Sequence, residues 1–286
     1  MRAGPTAYRL AGPVSGADDA ATIVFVHGVG MSMDFWDPQV AGFATTHRVI
    51  AYDVLGHGAS AAPPDPVTLE DLCDQLLALV DGLAISRFHL VGHSLGALIA
   101  LRFGLDQGQR LERLVALNGV YERTDATRDA VRRRADAILS GADITAGGDT
   151  LERWFGAHPA AALAPTIAWV KGQLGRNDRR GYGRLYRLFA DADRALVGRL
   201  GDLSMPALFL TGGGDPNSTP TMSEAMAHAA PHGTAITLDG ERHMMSLANP
   251  ARINTILRGF LTNPVGGPGT SSQPMTRYDE LHEQEP

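Results

Sequence analysis

Three side chains of this 286-residue chain have the types and settings that nucleophilic acyl chemistry requires. Gly92-His93-Ser94-Leu95-Gly96 places a serine between a strand-like run, Arg87–Val91, and a helix-like run from Leu95 to about Gln107. A serine in so tight a turn is held clear of the backbone, and larger neighbours would collide with the strand and the helix. The N–H of Leu95, first in the helix, then faces the charge that develops on an attacked carbonyl. A serine hydroxyl is a weak nucleophile at neutral pH and needs a base. Of the ten histidines, His27, His57 and His93 adjoin turn glycines and read as structural. His243 follows the last strand-like run through Asp239-Gly240-Glu241-Arg242 and precedes the final helix, at the sheet edge where loops build sites in open α/β folds. The acid to orient its imidazole is Asp215, in Gly212-Gly213-Gly214-Asp215-Pro216, where glycines permit a sharp turn after a strand. Asp239 competes but lies too close to the last strand. His27-Gly28-Val29-Gly30 offers a second donor to the same charge, the Val29 N–H. Asp53, after the strand-like run ending at Tyr52, reads as a turn residue without a part in the chemistry.

Positioning these groups falls to alternating strands and helices. Strand patterns occupy Thr6–Leu10, Ala21–His27, Arg48–Tyr52, Arg87–Val91, Leu114–Leu117, Pro206–Thr211 and Thr234–Leu238. The continuous run Thr22-Ile23-Val24-Phe25-Val26 is that of a strand buried on both faces. Helix patterns start at Thr68, with Leu72, Leu76, Leu79 and Leu83 at helical spacing, and cover Leu95–Gln107, Thr221–Ala230 and Asn249–Leu261. The alternation predicts a mostly parallel sheet with helices on both faces. Residues 1–120 and 201–262 read as this core, and 121–200 as a helical cap inserted into it. Residues 263–286 are rich in Pro, Gly, Ser and Thr before a short acidic end and read as a flexible tail, with a docking helix from Met275 as the alternative.

Composition narrows the partners. A net charge of -6 disfavours nucleic acid. The single cysteine, Cys73, permits no internal disulfide and sits in an apolar-periodic stretch as a core residue. Neither a secretion signal nor a membrane span is evident, so a cytoplasmic protein is expected. The segment Tyr121–Leu200 carries 14 basic against 10 acidic side chains, although the whole chain is acidic. Arginines grip carboxylates through paired hydrogen bonds, so a small anionic substrate is expected, with Arg153 and Trp154 as its first contacts. The competing reading has these arginines on solvated helix faces. Phe35 and Trp36, just after the His27–Gly30 loop, either wall the pocket or fill the core.

His27-Gly28, Asp53 with Gly56-His57-Gly58 and Ser60, Gly92–Gly96, Gly214-Asp215 and His243 together resemble the α/β-hydrolase superfamily over Ala21–Leu261. The chain order serine, aspartate, histidine is also that of these enzymes. The resemblance implies an eight-stranded α/β-hydrolase fold with a helical cap. It implies acylation of Ser94, an oxyanion hole from Val29 and Leu95, and deacylation by water activated by His243, with no cofactor and no metal. Arg132–Gly141 and Leu151–Phe155 are similar to the cap of 3-oxoadipate enol-lactonases, and hydrolases of aminomethylene-succinate amides look alike at this level. The expectation is a hydrolase of a small carboxylate-bearing ester, lactone or amide. Carbon–carbon bond hydrolysis and cofactor-free oxygenase or lyase chemistry are alternatives on the same fold. A ligand-sensing homologue without turnover is the alternative of another class. Neither membrane nor nucleic acid is expected as a partner, and a homodimer is left open.

Overall fold

The computed structural model describes residues 1–13, 21–144 and 148–262. The described strands are β1 (Arg2–Ala3), β2 (Thr6–Ala11), β3 (Thr22–Val26), β4 (Arg48–Tyr52), β5 (Phe88–His93), β6 (Leu111–Leu117), β7 (Ala207–Gly212) and β8 (Gly233–Leu238). They form one eight-stranded sheet in the order β1-β2-β4-β3-β5-β6-β7-β8. The pairs β1–β2 and β2–β4 are antiparallel, and all pairs from β4 to β8 are parallel. Every residue of β3 is buried, as its unbroken apolar run requires of a strand paired on both sides and covered on both faces.

The helices are α1 (Asp37–Phe43), α2 (Leu69–Gly82), α3 (Leu95–Asp106), α4 (Asp125–Leu139), α5 (Gly148–Phe155), α6 (Ala164–Arg176), α7 (Arg179–Asp191), α8 (Pro220–Ala229), α9 (Met245–Ala248) and α10 (Pro250–Thr262). Thr68 caps α2 in a reciprocal box with Asp71. From β3 the chain crosses one way to β4, and from β5 the other way to β6. Right-handed crossovers therefore put α1 on one face and α2 and α3 on the other. Accordingly α1 packs with α10, and α2 with α3. The neighbours β3 and β5 leave the sheet toward opposite faces, which opens a crevice at their C-terminal ends.

Three core elements are additional to those predicted: β1, α1 and the one-turn α9. β1 is two residues long, too short for any periodicity, and α1 is under two turns with Pro38 in its first turn. Between β6 and β7 lie α4 to α7, with no strand among the described residues. The expected tail, 263–286, lies outside the described residues.

Candidate active site

The bend between β5 and α3 is as tight as the glycines suggest. Ser94 has φ 55° and ψ -114°, a left-handed conformation costly for a side chain. A Cβ on Gly92 would lie 2.0 Å from the Gly96 carbonyl oxygen, and one on Gly96 would lie 2.2 Å from that of Val26. Only glycine lets strand, helix and neighbouring strand approach this closely. The Ser94 N–H donates to the Leu117 carbonyl at 2.9 Å, tying the bend to β6. The Ser94 hydroxyl makes no capping hydrogen bond to α3.

The loops after β7 and β8 are zipped together. Gly213 N–H donates to Leu238 O and Gly214 N–H to Glu241 O, both at 2.9 Å. A Cβ on Gly212 would stand 2.5 Å from Glu241 backbone atoms, so the glycines are needed for this contact. The zip brings His243 Nδ1 to 2.7 Å from Asp215 Oδ2, with both side chains buried. Asp215 also accepts from Asn118 Nδ2 at 2.9 Å and from the Asn217 N–H at 2.8 Å. Burial pushes the Asp215 carboxyl up, but the His243 imidazole and these two donors outweigh it and hold it below its ordinary value. His93 joins this unit to the bend, because its Nε2 donates to the His243 carbonyl at 2.9 Å and the two rings lie 4.9 Å apart. Asp215 and His243 thus form a buried pair, and His93 ties the His243 backbone to the residue that precedes Ser94. Ser94, Asp215 and His243 are 5%, 2% and 4% exposed.

The loop after β3 runs beside this bend, where a Cβ on Gly28 would lie 3.0 Å from Ser94 Cβ. The Gly28 carbonyl accepts from His27 Nδ1 at 2.7 Å and from the Met31 N–H at 3.2 Å. The N–H on the same peptide plane, that of Val29, points the opposite way in a trans peptide. His27 Nε2 accepts the Val54 N–H at 3.0 Å, which fixes the tautomer with its proton on Nδ1. His57 Nε2 accepts the Gly30 N–H at 2.8 Å. Burial lowers the imidazoles of His27 to about 4 and of His57 to about 3, so both stay neutral acceptors. Leu95, the other residue expected to donate, is the first residue of α3, where a backbone N–H has no acceptor within the helix. Asp53 accepts from the Met33 and Ala59 N–H groups at 2.8 Å each, a turn-holding role. Asp239, the rival acid, is exposed.

The helices between β6 and β7 roof this arrangement. The Trp154 ring stacks on His243 at 5.8 Å with 21° between planes. Tyr182 lies over the loop after β3, because a Cβ on Gly30 would come within 2.9 Å of its ring. Burial pushes its phenol up, while the charges of Arg134 and Arg153 pull the other way. Arg134 and Arg153 are half-buried and form no ion pair with a described residue. Arg123, Arg128, Arg132, Arg184, Arg187, Arg194 and Arg199 are all committed to aspartates. A concavity of about 480 Å³ opens beside the stack, lined among others by Phe155, His158, Leu163 and Arg242.

Trp36, a candidate substrate contact that the sequence left between pocket wall and core, is core. It is 0% exposed and packs on Phe25 at 4.8 Å and edge-on to Phe35 at 4.9 Å. It faces inward because Met33–Trp36 forms a 3-10 turn that leads into α1. Asn118, Arg134 and Tyr182 escaped sequence reading. Asn118 alone left a signal, an Asn-Gly pair at a strand end, and its φ of 49° is one that asparagine tolerates. Among the described residues no group of three or more His, Cys, Asp or Glu could hold a metal ion. None of the described helices is long and apolar enough to cross a membrane.

Relatives carry the same framework. The chain is 39% identical over 240 residues to an (E)-2-((N-methylformamido)methylene)succinate hydrolase of Acinetobacter baylyi, covering 84% of this chain and 89% of the relative. It is 29% identical to 3-oxoadipate enol-lactonase 1 of the same organism, over 87% and 91% of the two chains. The crystal structure of the enol-lactonase from Burkholderia xenovorans superposes with a TM-score of 0.83 at 27% identity, covering 90% of this chain and 96% of that one. Residues 23–256 match the model of the alpha/beta hydrolase family. With that match running from β3 through β8 and including the serine bend, the chain belongs to the alpha/beta hydrolase family and is an enzyme with hydrolase activity.

Proposed function

We propose that the protein hydrolyses a small carboxylate-bearing ester, lactone or amide through an acyl-enzyme on Ser94. The observation that carries this is the buried His243–Asp215 pair at 2.7 Å, held by His93, the residue preceding Ser94 in its strained bend. In this reading His243 takes the Ser94 proton as the hydroxyl oxygen bonds to the substrate carbonyl carbon. Asp215 holds the imidazole in the needed tautomer and stabilises its charged form. The Val29 and Leu95 N–H groups meet the oxyanion. His243 then protonates the leaving group, and in the second half it activates the water that releases the acid. Carbon–carbon cleavage would use the same parts, with a carbon leaving group.

Substrate class follows from the roof. Arg134 and Arg153 are half-buried cations without a carboxylate partner among the described residues, and a substrate carboxylate would complete them. The Acinetobacter relative is named for a substituted succinate, which agrees with such a subsite.

The test pairs a fluorophosphonate label with turnover of acylaminomethylene-succinates, enol-lactones and aryl acetates. The label is expected on Ser94, and Ser94→Ala is expected to lose label and turnover. Arg134→Met and Arg153→Met should raise KM for the carboxylate-bearing substrates tenfold or more and leave aryl acetates unaffected. Undiminished turnover by Ser94→Ala would remove the mechanism, and equal effects on both substrate types would remove the anionic subsite.

A further inference from the structure

The loop carrying Val29 is gripped from two sides. Beneath it, His57 Nε2 accepts the Gly30 N–H at 2.8 Å. Above it, the turn between α6 and α7 brings Asn177 Nδ2 to 2.8 Å from the Gly30 carbonyl oxygen. The same nitrogen also meets the carbonyls of Gln173 and Leu174, at 3.0 and 3.2 Å. Three carbonyl oxygens around one amide group decide which way it faces, since only the NH2 end can donate. Asn177 Oδ1 is buried without a partner, so the side chain is turned for its donors alone.

The roof rests directly on this loop. A Cβ on Gly30 would stand 2.7 Å from Leu174 at the end of α6 and 2.9 Å from Tyr182 in α7. Gly181, in the first turn of α7, touches Gly56 backbone as closely, because a Cβ there would lie 2.7 Å from the Gly56 carbonyl oxygen. Gly30 has φ 84°, and a glycine released from its partners ranges over far more backbone conformations than any other residue. The Gly30 carbonyl shares its peptide plane with the Met31 N–H, which donates to the Gly28 carbonyl on the plane of the Val29 N–H, so freedom of the Gly30 carbonyl loosens the aim of the Val29 N–H.

We propose that Asn177 is a positioning residue that holds the oxyanion loop in its working shape only while the α6–α7 corner is seated. Closure of the roof and completion of the oxyanion hole are then one event, and a substrate that seats the corner completes the donors that act on it. The inference rests on the reading of Ser94 as nucleophile and Val29 as oxyanion donor.

Three variants test it: Asn177→Ala, Asn177→Asp, and the control Lys171→Gly, which weakens α6 at an exposed position away from the corner. The readouts are the rate of Ser94 phosphonylation by a fluorophosphonate, kcat and KM for p-nitrophenyl acetate, and Tm. Both Asn177 variants are expected to lower kcat and the phosphonylation rate about tenfold, part of the loss that follows removal of an oxyanion donor, with KM unchanged within about twofold. Lys171→Gly should lower Tm and keep kcat. Wild-type kcat in the Asn177 variants overturns the inference, as does an equal loss of kcat in Lys171→Gly, which would mark a purely structural effect. If the wild-type protein labels at Ser94 and the Asn177 variants label as fast, this inference alone fails. If the wild type does not label at Ser94, the reading beneath it fails as well.

Discussion

Asp215 collects three donors on one buried carboxylate: the His243 ring, the Asn118 amide and the Asn217 N–H. A charge kept out of water needs that many partners, and together they fix the carboxylate plane that His243 meets. Asp215→Asn keeps size and shape but offers an amide that can donate where the acid accepted, so the imidazole is held in the wrong tautomer. A loss of kcat/KM of about 10,000-fold is expected. Asn118→Ala removes one hydrogen bond to a charged group, worth about 1.5–3 kcal/mol, so a ten- to hundredfold loss is expected. Both are read as kcat/KM on an aryl acetate. An unaffected Asn118→Ala would mean that this amide does not orient the acid during turnover. Of these contacts, the aspartate was legible in its glycine-rich setting. Asn118 was not, because nothing local ties it to a residue 97 positions away.

At the scale of elements, two glycines decide whether β3, β5 and α3 can meet. Gly92 and Gly96 each face a backbone carbonyl at a distance no Cβ can occupy, whereas Gly172, in mid α6, has nothing within 4 Å. Gly96→Ala must push β3 and α3 apart and is expected to lower Tm by ten degrees or more or to prevent soluble expression, as a clash between rigid backbones allows little relaxation. Gly172→Ala removes only the entropic cost of a helical glycine and should raise stability by about 1 kcal/mol. Thermal unfolding of the two proteins side by side checks the contrast, and similar Tm values would contradict this packing. These elements were readable in advance. The apolar run of β3, the leucine spacing of α2 and the glycine bend before α3 are local patterns set by period and sterics. The short β1 and α1 were not, since two and seven residues give no period to read.

Over the whole molecule, the roof is anchored where it leaves and rejoins the core. Asp193, fully buried, takes both Arg123 and Arg128, and Arg123 also donates to the Phe189 and Ala190 carbonyls. Burial pushes the Asp193 carboxyl up, but the Arg123 charge and the hydrogen bonds from Arg123 and Arg128 hold it below its ordinary value. Buried histidines set the acid limit of the fold. His27 is lowered to about 4, and His57 and His93 to about 3, each chiefly by burial, from an ordinary value of 6.5. Below pH 6.5 the unfolded chain binds protons that the folded protein refuses, so acid favours unfolding, and the loss continues down to about pH 3. Each such histidine contributes a slope of about 1.4 kcal/mol per pH unit once its unfolded form is fully charged. Asp193 and Asp215 act in the same direction at lower pH, because their lowered values stabilise the fold above the carboxylate range and that gain disappears as they protonate. The urea midpoint should therefore fall steeply from pH 7 to pH 5. A flat profile over that interval would show that these histidines take up protons without unfolding.

The sequence by itself determined the serine bend, the glycine-rich acid loop, the histidine before the last helix and the alternating elements between them. Each is imposed by sterics or periodicity within a few residues, and a different residue there breaks the local geometry whatever the rest of the chain does. Tertiary structure decided that Trp36 fills the core, that Asn118 supports Asp215, and that Asn177 reaches Gly30. Those contacts form between segments brought together by the crossing of the chain over the sheet, and no local pattern encodes which side chain will lie opposite which.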